Sequence, residues 1–190
     1  MFALALVGFT GLVIAAVGLT QGPNVERVAT GLGLPVSYVS AARKWSTWYR
    51  VPLEWVLATI LVESGGKPNS RGDADGRSIG LMQVNSVAHA AELAQAGLTA
   101  TSLLNPSTNI EWGTKYLRQF KDDVEDALGG RTPSIPLSWI VRLYYKGPST
   151  VTSVLKKGGN PATISWAPEA LHRWAAAMGK VTALTGKQVA

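Results

Sequence analysis

Residues 105–130 constrain the fold of this chain most strongly, because their apolar side chains follow the period of an α-helix. From residue 110 to residue 128 apolar side chains and one glycine recur at steps of three and four, so they share one stripe of a helix. The opposite face carries acid–base pairs four positions apart, namely Glu111 with Lys115, Arg118 with Asp122 and Lys121 with Glu125. Asn105-Pro106 before the pattern and Gly129-Gly130 after it predict where this helix begins and ends.

The rest of the body also favours helices, and strand signals are scarce. Helices are predicted over residues 35–49, 53–64, much of 79–96, 137–145 and from residue 168 onward. Residues 67–77 are polar and glycine-rich and predict a loop. We therefore expect an all-α domain over residues 38–184, preceded by a Gly- and Pro-bearing linker over residues 22–37.

The first part of the chain is a long apolar run. Residues 2–20 carry no charged side chain, and as a helix they would span roughly 28 Å, close to the hydrocarbon thickness of a bilayer. Residues 1–21 therefore predict an N-terminal transmembrane helix. A cleaved signal peptide is an alternative because Ala15-Ala16 resembles a cleavage site, although no Lys or Arg precedes the run. A buried core helix is a second alternative.

Charge and cysteine content narrow the classes of partner. The net charge is +6 and the pI about 9.7, which favours an acidic polymer or an anionic surface as partner. No block of five Lys or Arg residues occurs, so we expect no nucleic-acid binding. The absence of cysteine excludes disulfides and the usual zinc and redox sites. We predict no cofactor and no metal.

An acidic residue ends the apolar run of the predicted helix 53–64. Val56, Ile60 and Glu63 are four and three residues apart, so they lie on one stripe, and the apolar residues direct that stripe to the core. Partial burial of a carboxyl raises its pKa, which makes Glu63 a candidate general acid near neutral pH. The alternatives are a Glu that pairs with an Arg, or one that reaches solvent at the end of the helix.

Four short motifs follow in order along the chain. They are Glu63-Ser64, then Gly80-Leu81-Met82-Gln83-Val84, then Asn109 with Gly113 and Tyr116-Leu117, and finally Tyr144-Tyr145-Lys146-Gly147. Over residues 40–179 the chain thereby resembles the lytic transglycosylase family, whose domain has a goose-lysozyme-like fold. The resemblance implies an all-α, lysozyme-like domain behind the N-terminal transmembrane helix.

The resemblance also implies a substrate and a reaction. The substrate is the glycan strand of peptidoglycan, cleaved between N-acetylmuramic acid and N-acetylglucosamine. Glu63 corresponds to the family's catalytic glutamate: it protonates the glycosidic oxygen and then acts as base on the muramyl 6-hydroxyl, which closes a 1,6-anhydro ring. One residue that serves as acid and then as base needs no second carboxylate, unlike the usual pair of a glycosidase.

Other site residues follow from the same resemblance. Tyr144 corresponds to the family tyrosine whose hydroxyl approaches the catalytic glutamate, so it is predicted as the second catalytic residue. Ser64, Met82, Gln83 and Tyr145 are predicted to bind substrate. The chain departs from the family pattern at Tyr145, where an Asn is usual, and at Lys146, where an Ala is usual. Lys146 either reaches the acidic stem peptide or is an ordinary solvated lysine.

Two alternative functions remain open at this point. The first is a goose-type lysozyme hydrolase, in which Asp73 or Asp75 would hold a water. The corresponding carboxylate after Gly-Leu-Met-Gln-Val is replaced here by Asn85, which favours ring closure over hydrolysis. The second is a non-catalytic wall-binding scaffold. Asp73 and Asp75 also suggest a calcium loop, but the other ligand positions do not follow. His89 is expected to pack or to lie at the surface rather than to catalyse.

The biological setting is a further prediction. A small catalytic domain on a membrane helix suits local opening of the cell wall by a phage particle or a secretion machine, whose proteins would then be partners. This setting requires a membrane-anchored domain that faces the periplasm or cell wall, or a virion component. The nearest cations, Arg27, Arg43 and Lys44, follow the apolar run, and the positive-inside tendency instead favours a cytoplasmic body.

Overall fold

The computed structural model describes residues 24–72, 75–130, 135–164 and 168–186, and helices dominate this part of the chain. The helices are α1 (Val25–Leu32), α2 (Val36–Tyr49), α3 (Leu53–Ser64), α4 (Ala90–Gln95), α5 (Pro106–Ala127), α6 (Leu137–Lys146), α7 (Pro148–Lys156) and α8 (Pro168–Thr185). Three two-residue strands, β1 (Arg71–Gly72), β2 (Ser78–Ile79) and β3 (Val84–Asn85), form an antiparallel sheet in the order β1-β2-β3. Single 3-10 turns cover Ala100–Leu104 and Pro161–Thr163.

Helix α3 lies at the centre of the main core. Every residue from 54 to 60 is buried, because α3 packs against α2, α5 and α8. A helix that is apolar on all sides is stable only when neighbours cover all of its faces. The side chains of this core that are less than 2% exposed include Val28, Leu57, Ile60, Leu81, Met82, Ile110, Leu117, Ile140 and Trp174.

A second, smaller cluster of buried side chains lies under the three-stranded sheet. Ile79 and Val84 of the sheet pack there with Trp112 and Tyr116 of α5. The cluster also takes Leu93 from α4 and Leu103 from the 3-10 turn before α5. Helix α5 therefore contacts both clusters and joins the sheet to the main core.

The structure confirms most of the predicted helices and the all-α character of the domain. Helices α2, α3 and α5 begin and end within a few residues of the predicted bounds. On α5 the Arg118–Asp122 and Lys121–Glu125 pairs form as predicted. The prediction for Lys115 is wrong, because its ammonium bonds Glu92 of α4 at 2.7 Å instead of pairing with Glu111.

The prediction of a linker over residues 22–37 is wrong, since residues 25–32 form α1. The Asn24 side chain accepts a hydrogen bond from the Arg27 N–H at 3.1 Å and so caps the first turn. Val28 and Leu32 bury one face of α1, which packs against α2 and α8. The glycines that suggested a linker include Gly33, which in fact ends the helix in the left-handed conformation.

The prediction of a helix across much of residues 79–96 is also wrong for the first half of that range. Only α4 is helical there, and residues 78–89 form strands and turns. Two residues, Gly80 (φ 79°) and Gln83 (φ 48°), have positive φ, which a helix does not allow. Helix α7 was not predicted, although Pro148 at its first turn is a usual start signal.

The predicted transmembrane helix, residues 1–21, lies outside the described residues. Of the helices in residues 24–72, 75–130, 135–164 and 168–186, none is both long and apolar enough to cross a bilayer.

Candidate active site

Glu63 lies in the last turn of α3, where the helix leaves the core. Val56 and Ile60, on the same stripe, are fully buried, whereas Glu63 is partly exposed and its Oε1 atom is shielded from solvent. The sequence prediction that this stripe faces the core and ends in a half-buried carboxyl is therefore confirmed. Such a carboxyl can contact a ligand on one side and protein on the other.

The end of α3 is fixed by the residues that follow Glu63. The Ser64 hydroxyl donates to the Ile60 carbonyl at 3.0 Å and accepts from the Gly66 N–H at 3.1 Å. Gly65 takes the left-handed conformation (φ 60°) and its N–H bonds the Leu61 carbonyl, which terminates the helix. Ser64 thus holds the Glu63 backbone in place, and its predicted contact with substrate remains a prediction.

Two tyrosines of α6 lie within electrostatic range of the Glu63 carboxyl. Burial raises the pKa of the Tyr144 hydroxyl well above its usual value, and the Glu63 carboxylate adds to the shift. The pKa of Tyr145 is also raised, first by burial and then by Glu63, while Arg173 acts in the opposite direction. Both phenols therefore stay protonated at neutral pH. The structure thus brings together three of the residues predicted for the site.

Tyr144 is held by contacts on three sides. Its hydroxyl donates to the Met82 carbonyl at 2.5 Å. Its ring centroid lies 5.7 Å from that of Trp174 and 6.2 Å from that of Phe120, the latter edge-on. Because Trp174 is completely buried, this ring contact anchors Tyr144 to the core.

The turn that contains Met82 is clamped by Asn109 of α5. Asn109 is fully buried; its Oδ1 accepts from the Met82 N–H at 2.7 Å, and its Nδ2 donates to the carbonyls of Ile79 (2.7 Å) and Leu103 (2.8 Å). A Cβ at Gly80 would collide with this amide and lie 2.6 Å from the Leu103 carbonyl. One side chain therefore sets the path of the Gly80–Gln83 turn.

Gln83 has a strained backbone and a side chain that closes the same turn. Its φ is 48°, unusual for a residue other than glycine. Its Nε2 donates to the carbonyls of Gly80 at 2.8 Å and Ser70 at 3.2 Å, and its Oε1 lies against Gly72. Gln83 thereby ties the turn to β1, and its predicted bond to a sugar is not tested by these contacts.

Met82 was predicted to line the cleft, and the structure buries its side chain completely. A Cβ at Gly113 would lie 2.5 Å from the Met82 sulfur, so the thioether fills the space that this glycine leaves. What Met82 offers to the site is its backbone carbonyl, which accepts the Tyr144 hydroxyl.

Tyr116 and His89 pack together beneath the sheet. Their rings stack with centroids 3.6 Å apart. Burial lowers the pKa of His89 and nearby Lys115 lowers it further, while Glu92 raises it. Burial also raises the pKa of Tyr116. Of the two positions expected for His89, packed or at the surface, the structure shows a partly exposed ring that packs on Tyr116.

The described residues that were considered for hydrolysis or for calcium, Asn85 and Asp75, are engaged in other contacts. Asn85 Oδ1 accepts from the N–H groups of Val87 (3.1 Å) and Ala88 (2.9 Å), and so it caps a turn. Asp75 pairs with Arg77, and Asp73 lies outside the described residues. Among the residues that the structure describes, no group of three His, Cys, Asp or Glu could hold a metal ion.

Two residues of this region had no role assigned from sequence. Asn109 belongs to a motif, but its function as the clamp of the turn depends on Met82, far away in the chain. Arg173 of α8 donates to the Tyr145 hydroxyl at 3.2 Å. Nothing in the sequence around Arg173 distinguishes it from a solvated basic residue.

The chain was compared with known families and proteins. The family model described as "Transglycosylase SLT domain" matches residues 40–166, more than half of the chain. The match includes Glu63, the Gly80–Gln83 turn, α5 and both tyrosines of α6. No curated protein matches the chain.

Proposed function

Because the chain belongs to the transglycosylase SLT domain family, whose activity is lytic transglycosylation of peptidoglycan, we propose that Glu63 is its acid and base. The observation that carries the proposal is the position of Glu63 at the exposed end of the buried helix α3, within electrostatic range of the phenols of Tyr144 and Tyr145.

The proposed reaction uses one carboxyl group twice, first as acid and then as base. The Glu63 carboxylic acid donates its proton to the oxygen between C1 of N-acetylmuramic acid and C4 of N-acetylglucosamine, and the C1–O bond breaks as C1 gains positive charge. The carboxylate then removes the proton of the muramyl 6-hydroxyl, whose oxygen bonds to C1. The products are a 1,6-anhydromuramyl end and a free 4-hydroxyl, without consumption of water.

Tyr144 and the turn supply the positioning in this proposal. The protonated Tyr144 hydroxyl orients the Met82 carbonyl and lies within electrostatic range of Glu63. Fixed dipoles of this kind stabilise developing charge better than mobile water does. Tyr144 thus acts through its neighbours, and Tyr145 offers an exposed ring face to a sugar.

Ring closure is proposed over hydrolysis because neither Asp75 nor Asn85, the two described positions considered for holding a water, is placed to activate one. Asp75 is exposed and paired with Arg77, and the Asn85 oxygen is bonded to backbone N–H groups. A carboxylate that activates water in an inverting glycosidase stands opposite the acid with room for the water between them.

Digestion of purified glycan strands tests the role of Glu63. Glu63→Gln keeps the shape of the side chain but removes its titratable proton, so we expect glycan cleavage to fall by roughly a thousandfold or more. The matched control is Glu169→Gln on the exposed surface of α8, which should cleave like wild type. Equal activity of Glu63→Gln and wild type would contradict the proposal.

We further propose that residues 1–21 anchor the domain in a membrane so that it faces the periplasm or cell wall, where a phage particle or secretion machine needs a local opening. This proposal is supported by the run of residues 2–20, which carries no charged side chain. Protease added to intact spheroplasts should degrade the domain if it faces outward. Protection until lysis would instead agree with the basic residues that follow the run.

A further inference from the structure

Arg173 of α8 and Tyr145 of α6 meet within electrostatic range of Glu63, the proposed acid and base. The Arg173 Nη2 donates to the Tyr145 hydroxyl at 3.2 Å. Tyr145 is 44% exposed, and the Glu63 carboxylate lies close enough to affect its titration. An exposed cation is therefore fixed, through a tyrosine, at the edge of the site.

Lys146 is a second cation, at the end of α6. It follows Tyr145 in the last turn of α6 and is exposed. None of the ion pairs between described residues includes Arg173 or Lys146. Glu169 lies one turn before Arg173 on α8 and is not within ion-pair distance of it. Arg173, which bonds Tyr145, and Lys146, which follows Tyr145 in the chain, thus form no ion pair with the described residues.

We propose that Tyr145, Arg173 and Lys146 form a subsite for the carboxylates of the peptide attached to the muramic acid residue at the cleavage point. This inference rests on the proposed function, since it assigns the subsite to the same substrate. The subsite makes the enzyme prefer glycan whose peptides carry free carboxylates over glycan whose carboxylates are neutralised.

The chemistry of the three side chains fits this ligand. A guanidinium presents N–H donors in a planar fork that matches a carboxylate. Tyr145 accepts one donor of Arg173 and restricts the orientation of the fork, which reduces the entropy lost on binding. Lys146 supplies a mobile point charge that reaches carboxylates in more than one position. The lactyl group that carries the peptide is attached to the N-acetylmuramic acid whose C1–O bond breaks, so the peptide and the reacting bond belong to the same sugar.

The test compares two forms of one soluble, uncrosslinked glycan-strand preparation. In one form the peptide carboxylates are free, and in the other they are converted to N-methylamides with methylamine and a carbodiimide. Wild type is expected to show kcat/KM roughly tenfold higher on the free form, since an exposed ion pair contributes about two- to fivefold per cation. The preference should fade in 1 M salt, where the Debye length is about 3 Å.

Variants separate the subsite from a structural effect. Arg173→Gln and Lys146→Gln should each reduce the preference for the free form, measured as the ratio of kcat/KM on the free form to kcat/KM on the methylamide form, by about two- to fivefold. The matched control is Lys180→Gln, which removes the same charge from the exposed surface of α8 and should keep the wild-type preference.

Two results would overturn the subsite. One is a wild-type enzyme that cleaves both forms equally, and the other is an Arg173→Gln variant that loses the same activity on both. Neither result affects the role of Glu63, because cleavage of the methylamide form still measures that role independently.

Discussion

The Tyr144 hydroxyl donates a 2.5 Å hydrogen bond to the Met82 carbonyl. This bond joins α6 to the Gly80–Gln83 turn, and Asn109 holds the other side of the same residue through the Met82 N–H. Both the N–H and the carbonyl of Met82 are thus held by hydrogen bonds from distant side chains. The path of the turn and the position of the Tyr144 phenol near Glu63 depend on each other.

Tyr144→Phe should weaken both stability and catalysis. Loss of one hydrogen bond is expected to lower the free energy of unfolding by about 1 kcal/mol, and loss of the positioned phenol to lower kcat by about tenfold or more. Denaturant titration and glycan cleavage measure the two effects. The control is Tyr38→Phe, because the Tyr38 hydroxyl makes no hydrogen bond that we identify within the described residues. A Tyr144→Phe enzyme with wild-type kcat would show that Tyr144 has a structural role only.

Asn109→Ala should destabilise the protein strongly. The change leaves the buried Met82 N–H and the Ile79 and Leu103 carbonyls without their partner, at a cost of roughly 3 to 5 kcal/mol. Asn105→Ala is the matched control, because Asn105 caps α5 from an exposed position and its loss costs about 1 kcal/mol. Urea unfolding of both variants checks the difference, and similar midpoints would contradict the clamp.

Gly113→Ala should be destabilising although alanine favours helices. The added Cβ would lie 2.5 Å from the Met82 sulfur, and overpacking of this kind costs about 1 to 3 kcal/mol. Gly179→Ala on α8 provides the comparison, since a Cβ added there would meet no described residue of another element within 4 Å. At that position we expect the free energy of unfolding to rise by up to about 1 kcal/mol. Thermal melts should move in opposite directions, and a rise for both variants would show that Met82 repacks freely.

The stability of the protein should fall as the pH drops through the range around 6.5, and His89 should contribute to the slope. Burial and Lys115 lower the pKa of His89 in the folded protein, against the opposing effect of Glu92. The unfolded chain therefore binds the proton more readily, so acid favours unfolding. His89→Gln should flatten the curve of unfolding free energy against pH between about 5 and 7. An unchanged slope in His89→Gln would contradict this assignment.

Local sequence signals predicted the part of the site that one helix provides. Two local signals were sufficient to place the Glu63 carboxyl at the end of a buried helix. They are the stripe formed by Val56, Ile60 and Glu63, and the glycine that follows Ser64. The same kind of signal predicted α5. In each case the period of apolar residues and the terminating glycines lie within one segment, so no distant contact is needed to interpret them.

The remainder of the site depends on contacts between distant segments. Residues 79–89 appeared suitable for a helix, but Asn109 binds the backbone there and imposes a turn. Met82 matched a cleft position, yet Gly113 leaves a space that buries its side chain. Arg173 reaches Tyr145 only because α8 packs beside α6. Such pairings are determined by tertiary packing, which overrides local propensity.

The mass of the cleavage product made in water enriched in the heavy oxygen isotope tests the central claim most directly. If Glu63 acts as acid and then as base on the muramyl 6-hydroxyl, wild type releases anhydro ends that are one water lighter than hydrolysed ends and carry no isotope label, and Glu63→Gln releases neither. Labelled, hydrated ends from wild type, or unlabelled anhydro ends from Glu63→Gln at the wild-type rate, would contradict it.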